Sequence, residues 1–285
     1  FCRLTKGVHL ILPKILTKEA LLLTAQLDGR VFFMIPWYGL TLLGTTDTNY
    51  NGDIEHVKVE EEDIDYLLSE ANRVLKTTSW TKSEIIGKYA GLRVMKNNAL
   101  ASPSSLSRDW ELKEAGNGLL ISIGGKFTSA REDTAHIVDK VCANLEMKAA
   151  CQTFARPFPW LPERDFHEWS EAIMIHATYL GIDDDSAFWL IRRHGIRVEK
   201  ILQMIARNPD LAKRIFPQLP LIIADLIFCA QQEMVVHLTD LLRRRLPLLL
   251  LSKMTREEIG YLAMLVADEL KWDQATVENE IDRCC

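Results

Sequence analysis

RPFPWLPE, Arg156 to Glu163, places three prolines within six residues and separates two halves of different character. Proline fixes φ and removes a backbone donor, so such a cluster neither joins a sheet ladder nor continues a helix. We read it as a linker spanning 151–164. Before it the chain is punctuated by glycine: eleven of the 14 glycines lie at or before Gly125, and only Gly181, Gly195 and Gly260 follow. The same half holds the strand-like segments GVHLILP, GRVFFMIPW, LTLLGTT, IIGKYAGLRV, SRDWELKEA and NGLLISI. Asp28-Gly29 and Gly116-Asn117-Gly118 fall between them as turns. The expectation is an α+β fold: a mixed or antiparallel sheet with flanking helices over 1–150, then an all-α domain over 165–285.

Two helices are expected in the first half. From Glu60 to Lys76, Ile64, Leu67, Leu68, Ala71, Val74 and Leu75 recur at helical spacing, and the acidic run EEED suits a first turn. A second runs from about Ser129 to Leu145, with Ile137, Val138, Val141, Cys142 and Leu145 on one face. Beyond the linker, helical periodicity covers roughly 165–180, 184–193, 195–207, 220–245, 255–270 and 273–282. Asp183–Asp185, Asn208-Pro209 and Thr255 mark starts or stops.

Composition narrows the function. Net charge is −5, which gives no basic field for nucleic acid. The apolar stretches LPLIIADLIFCA and LPLLLL are too short or interrupted to span a bilayer. The six cysteines form no C-x-x-C pair and no zinc spacing, so no metal is expected and the thiols read as buried or incidental in a reducing compartment. The chain opens FCRLTKG, with neither an initiating Met nor a signal-peptide pattern. It reads as a piece of something longer.

GGKFTSARED, Gly124 to Asp133, follows the apolar run LLISI and leads into the second helix. It lacks the spacer and first glycine of a P-loop and does not fit G-x-G-x-x-G. A strand that delivers a glycine turn to a helix start nevertheless lets backbone N–H groups approach an anionic ligand.

GVHLILP, GRVFFMIPW with GLTLLGTTDTNYNGD, YAGLRV, SRDWEL with GLLISIGGKFTSAR, and PLIIADLIFCAQQEMVVHLTDLLRRR occur in this order. Together they resemble the FAD-dependent glycerol-3-phosphate dehydrogenases, the respiratory type that feeds quinones. The resemblance runs over nearly the whole chain, including HGIRVEKILQMIARNPDLAKRIFPQLP in the helical half. Such enzymes belong to the D-amino-acid-oxidase-like flavoproteins, whose N-terminal βαβ unit grips the FAD pyrophosphate with G-x-G-x-x-G. No such motif occurs here. The resemblance therefore implies the back part of the enzyme: some of the substrate domain, the last flavin-contacting loop and the helical C-terminal domain. On its own such a piece is expected to show little or no activity.

What the resemblance implies for the residues is specific. Gly124 and Gly125 let the backbone approach the flavin. Lys126, Phe127 and Thr128 complete that cofactor loop, with the N–H groups at Thr128 and Ser129 adding the positive end of a helix. Lys126 also reaches toward the substrate, glycerol 3-phosphate. Arg93 is the substrate-binding arginine, its guanidinium fork suited to phosphate; Val94 follows it where the wider superfamily often has proline. His9 is the catalytic histidine, orienting the hydroxyl or accepting its proton. On the residues alone a structural salt bridge for Arg93 and a sheet-satisfied histidine for His9 stay open. Thr45, Thr46 and Asp47 carry the family's GTTDT, where Asp47 reads as a turn cap.

The expected cofactor is FAD and the expected acceptor a quinone. This implies a cytoplasmic protein, peripherally associated with the inner face of the cell membrane, with homo-oligomerisation open. Arg243–Arg245 before LPLLLL offers a candidate membrane patch, though three such arginines also suit a solvated face. Two other functions compete: an oxidase using dioxygen, and a non-catalytic helical module that docks a partner or membrane.

Overall fold

The computed structural model describes residues 2–14, 18–75, 79–96 and 110–285. Ser107–Asp109 of the SRDWEL string and Lys76 at the end of the first expected helix lie outside them. The chain divides into two compact units, one of Phe1–Trp37 with Thr41–Pro157, the other of Tyr38–Leu40 with Phe158–Cys285.

The first unit is built on β1 (Cys2–Leu12). One edge of β1 pairs antiparallel with β6 (Gly87–Lys96) over nearly its whole length. On another edge two short strands follow one another: β4 (Leu40–Gly44) pairs with His9–Leu12, and β5 (Thr48–Tyr50) pairs with Leu4–Lys6. Outside β4 lie β3 (Val31–Trp37) and β2 (Leu21–Thr24), a hairpin turning at Asp28-Gly29, where Gly29 takes a left-handed φ of 70°. β2 and β5 carried no strand signal of their own in the sequence. A separate hairpin of β7 (Glu111–Glu114) and β8 (Leu120–Ile123) turns at Gly116–Gly118 as expected.

Alternation along β1 gives the sheet two different faces. Val8, Leu10 and Leu12 join Phe32, Met34 and Leu43 in a core against Ile64, Leu67, Leu68 and Ala71 of α1 (Glu61–Val74). Lys6 points the same way and meets Asp63 in a buried ion pair at 2.6 Å. Asp63 also accepts the Glu60 N–H, closing the box that starts α1. Thr5, Gly7 and His9 therefore face the other side.

α2 (Ala130–Asn144) forms where expected but buries none of its residues. Val138, Val141 and Leu145, read from sequence as an inner face, are exposed. The amphipathic pattern makes the helix, yet no described element covers that stripe.

In the second unit, α3 (Phe166–Tyr179), α4 (Asp184–His194), α5 (Val198–Arg207) and α6 (Ile223–Gln232) enclose Trp169, Ile173, Leu190, Ile201 and Phe228. α7 (Leu248–Leu251), α8 (Arg256–Leu270) and α9 (Gln274–Cys284) follow. Asp183 and Thr255 cap α4 and α8 as the sequence proposed, and Asn208 accepts from Asp210 N–H at the start of a short 3-10 turn.

The expected helix over 220–245 is broken. Met234 adopts a left-handed φ of 53°, and the N–H groups of Val236 and His237 turn to the Asp240 carboxylate. Leu238 N–H goes to Glu280 of α9, and a π-type turn spans Asp240–Arg245. The candidate membrane patch also reads differently. Leu246, Leu248 and Leu251 are buried, while Arg244 pairs with Asp240 and Arg245 donates to Glu233 O. The apolar run beside the arginines is core.

A buried polar knot holds this unit. Asp225, fully buried, is met by Arg193 on one oxygen and by His194 Nε2 at 2.7 Å on the other. Arg193 reaches Tyr38 Oη at 3.3 Å, and the Tyr38 ring stacks on Trp189 at 3.8 Å. Burial opposes the Asp225 charge, yet Arg193 and His194 together hold its carboxyl below the usual range.

Candidate active site

The polar face of the first unit gathers residues far apart in sequence. Strand pairing sets Tyr89 opposite His9, Gly91 opposite Gly7 and Arg93 opposite Thr5. The His9 and Tyr89 rings stack at 5.0 Å, 10° from parallel. A methyl group built on Gly44 would run into the His9 ring, and one built on Gly7 would run into the Arg93 guanidinium. Both side chains can lie this close to the backbone because glycine puts no side chain beneath them.

Between β4 and β5 the ladder along β1 breaks, and GTTDT fills the gap. Thr46 Oγ1 accepts the Val8 N–H at 3.0 Å. Arg93 Nη2 donates to Thr45 Oγ1 at 2.8 Å, and Nη1 lies 3.4 Å from both Thr46 O and Asp47 Oδ1. Arg93 keeps 27% of its side chain exposed, against 8% for Asp47. Thr5 Oγ1, fully buried on this face, has no hydrogen-bond partner among the described residues.

Burial first, and the Arg93 charge second, lower the His9 pKa to about 4. The imidazole is therefore neutral near pH 7 and has a lone pair to offer. Burial raises the Tyr89 phenol, so that ring is uncharged as well.

The GGKFT turn stands at the end of β8. Gly124 and Gly125 both take left-handed φ, 72° and 96°, which an L side chain resists. Lys126 lines a pocket of about 510 Å³ with Trp110, Thr128, Ser129, Glu132, Asp133 and His136. Phe127 is almost fully exposed. One expectation needs correcting: the Ser129 N–H donates to Lys126 O at 3.1 Å, so it closes the turn instead of facing a ligand, and α2 starts one residue later. The structure thus brings His9 and Arg93 together. Among the described residues no hydrogen bond or ion pair joins Lys126 to either.

Sequence reasoning missed Tyr89, Gly7 and Gly44 as parts of this face. Glycines inside strand patterns, KGVH and LLGTT, were the available signal. Tyr89 gave none, because only the register pairs it with His9.

Residues 2–131 match the FAD dependent oxidoreductase family, and residues 151–277 match the C-terminal domain of alpha-glycerophosphate oxidase. Between them the two matches take in most of the chain. The chain is 31% identical to a glycerol-3-phosphate dehydrogenase of Synechocystis, over 98% of this chain and 51% of the relative. It is 32% identical to an aerobic glycerol-3-phosphate dehydrogenase of Staphylococcus haemolyticus, over 85% and 45%. A crystal structure of the Bacillus halodurans glycerol-3-phosphate dehydrogenase complexed with FAD superposes with a TM-score of 0.83 at 26% identity. That match covers 99% of this chain and 56% of the other. The chain spans about half the length of the curated relatives it matches.

His194, Asp225 and Cys229 bring three donor atoms within 4.8 Å of one another in the helical unit. Arg193 already neutralises that carboxylate, so we give the trio a structural role.

Proposed function

We propose that this chain supplies the substrate side of an FAD-dependent glycerol-3-phosphate dehydrogenase. The enzyme oxidises sn-glycerol 3-phosphate at C2 to dihydroxyacetone phosphate and passes the electrons to a quinone. The observation that carries the reading is Arg93 and His9 on one sheet face, each seated on a glycine, in a chain similar to proteins named for that activity. FAD, when bound, accepts the hydride equivalent. The residues of this chain bind the substrate, orient it and take up one proton.

Arg93 pairs with the phosphate through a charge-assisted fork. His9, neutral and held flat between Gly44 and Tyr89, accepts the proton of the C2 hydroxyl at a ring nitrogen. The phosphate also offsets the Arg93 charge, the smaller of the two causes that depress His9. For the cofactor, two consecutive left-handed glycines followed by an exposed lysine fit an electron-rich ring edge. Gly124, Gly125, Lys126, Phe127 and Thr128 would hold it there. Lys126 sets a positive charge beside that edge and extends toward the substrate.

A quinone acceptor requires a seat at the inner face of the cell membrane. No helix among the described residues is long and apolar enough to cross it. The match to an alpha-glycerophosphate oxidase domain favours a second acceptor, dioxygen. Oxygen consumption measured against quinone reduction separates the two.

The test is the visible spectrum of the FAD-loaded enzyme that contains this chain, held without oxygen. Bleaching on addition of sn-glycerol 3-phosphate, and not of glycerol, supports the reading. A flavin that stays oxidised removes it.

A further inference from the structure

We propose that Asp47 is a positioning residue, which fixes the plane of the Arg93 guanidinium so that its N–H edge meets a phosphate; this rests on the substrate class proposed above. The geometry for it lies in the gap between β4 and β5. Arg93 sits over Gly7 and touches three consecutive residues of one loop, Thr45, Thr46 and Asp47. Each contact is backed by another. The Thr45 hydroxyl gives its proton to Thr46 O at 2.9 Å, so its lone pair is left for Arg93. The Thr46 hydroxyl is committed to the Val8 N–H, and the Asp47 carbonyl accepts from Arg30 Nη1. Arg30 is held in turn by Asp28 at 3.2 Å. The loop is pinned by contacts of its own, so it presents a rigid edge to the guanidinium.

The choice of a carboxylate is informative. A negative charge beside an anion site repels the anion, and charge alone argues against having one there. It is useful only if what it does to Arg93 outweighs that repulsion. A guanidinium recognises phosphate through donors in a fixed plane, so a cation held in that plane loses less freedom on binding. The Asp47 carboxylate, nearly buried and 3.4 Å from Nη1, holds one edge of the plane, while Thr45 holds the neighbouring nitrogen.

The two effects predict opposite signs in one substitution. In the FAD-loaded enzyme, Asp47→Asn removes the repulsion and keeps the size. If charge dominates, KM for sn-glycerol 3-phosphate falls. If placement dominates, KM rises by about tenfold with kcat much less affected, and Asp47→Glu recovers part of the loss. Binding of inorganic phosphate, followed through the His9 imidazole signal by NMR, weakens in parallel and needs no turnover. An unchanged or lowered KM together with unchanged phosphate binding overturns the proposal. Should Asp47→Asn fail to fold, Thr45→Val removes the other anchor: the same rise in KM supports the positioning device, and wild-type binding overturns it. An enzyme that ignores glycerol 3-phosphate but whose phosphate binding still weakens in Asp47→Asn loses the proposed function and keeps the positioning role. A wild-type enzyme that binds no phosphate loses both.

Discussion

Gly44 and Gly7 interrupt strand-forming sequence, where glycine weakens a sheet, and each does so directly beneath a side chain of the polar face. The cost is local, while the benefit is a fixed imidazole and a fixed guanidinium. Gly44→Ala should push the His9 ring off its seat and lower kcat/KM about 10²-fold, with a far smaller change in the thermal midpoint; steady-state kinetics beside a melting curve decides it. Arg93→Ala and Lys126→Ala should each cut kcat/KM by about 10²-fold or more, and wild-type kinetics from both would remove these site assignments. His9 gives a pH prediction. Its folded pKa, about 4, lies below the ordinary 6.5, so the unfolded chain binds the extra proton between those values. Stability should therefore fall as pH drops from about 6.5 toward about 4, and His9 should contribute no slope above that window. Denaturant titrations across this range should show a shallower slope for His9→Gln than for the wild type.

At the scale of elements, the helix expected over 220–245 shows how side chains compete with a period. The apolar pattern continues through Met234–Leu238, but Asp240 and Glu280 offer carboxylates that capture three backbone N–H groups. Glu280 arrives from α9, so no window of local sequence contains the reason for the break. Caps behave oppositely, because donor and acceptor are three residues apart. Thr255 accepts from Glu258 N–H, and the Glu258 carboxylate accepts from Thr255 N–H. Thr255→Ala should cost about 1 kcal/mol of stability, read as a lower midpoint in urea with an unchanged m-value. A shift beyond about 2 kcal/mol would mean that the residue does more than cap.

At the scale of the whole molecule, each unit holds buried charged groups against one another in its interior. In the first, Lys6 meets Asp63 where β1 packs on α1. In the second, Asp225 draws Arg193 and His194 into the helical core. Such pairs add little against an apolar replacement, but removing one partner strands the other. Asp225→Ala should destabilise the helical unit by about 3 to 5 kcal/mol, visible as a lower midpoint in the fluorescence of Trp169 and Trp189. A loss under about 1 kcal/mol would show that water or a neighbour solvates Arg193 instead.

What the sequence determined by itself was whatever depends on near neighbours. The proline cluster at 157–162, the glycine-rich strands before it, the period of α1 and the caps at Asp183 and Thr255 were all legible there. Arg93, His9 and GGKFT stood out through a resemblance of ordered strings, since none of those residues announces chemistry on its own. The tertiary structure alone decided what depends on partners distant along the chain. It set Tyr89 against His9, laid Arg93 over Gly7 and made Asp47 its counter-ion, with no described element to cover the apolar stripe of α2. The physical reason is register: β1 sets His9 against Tyr89 and Thr5 against Arg93, partners distant along the chain, and a shift of one between the strands would put His9 and Arg93 on opposite faces of the sheet.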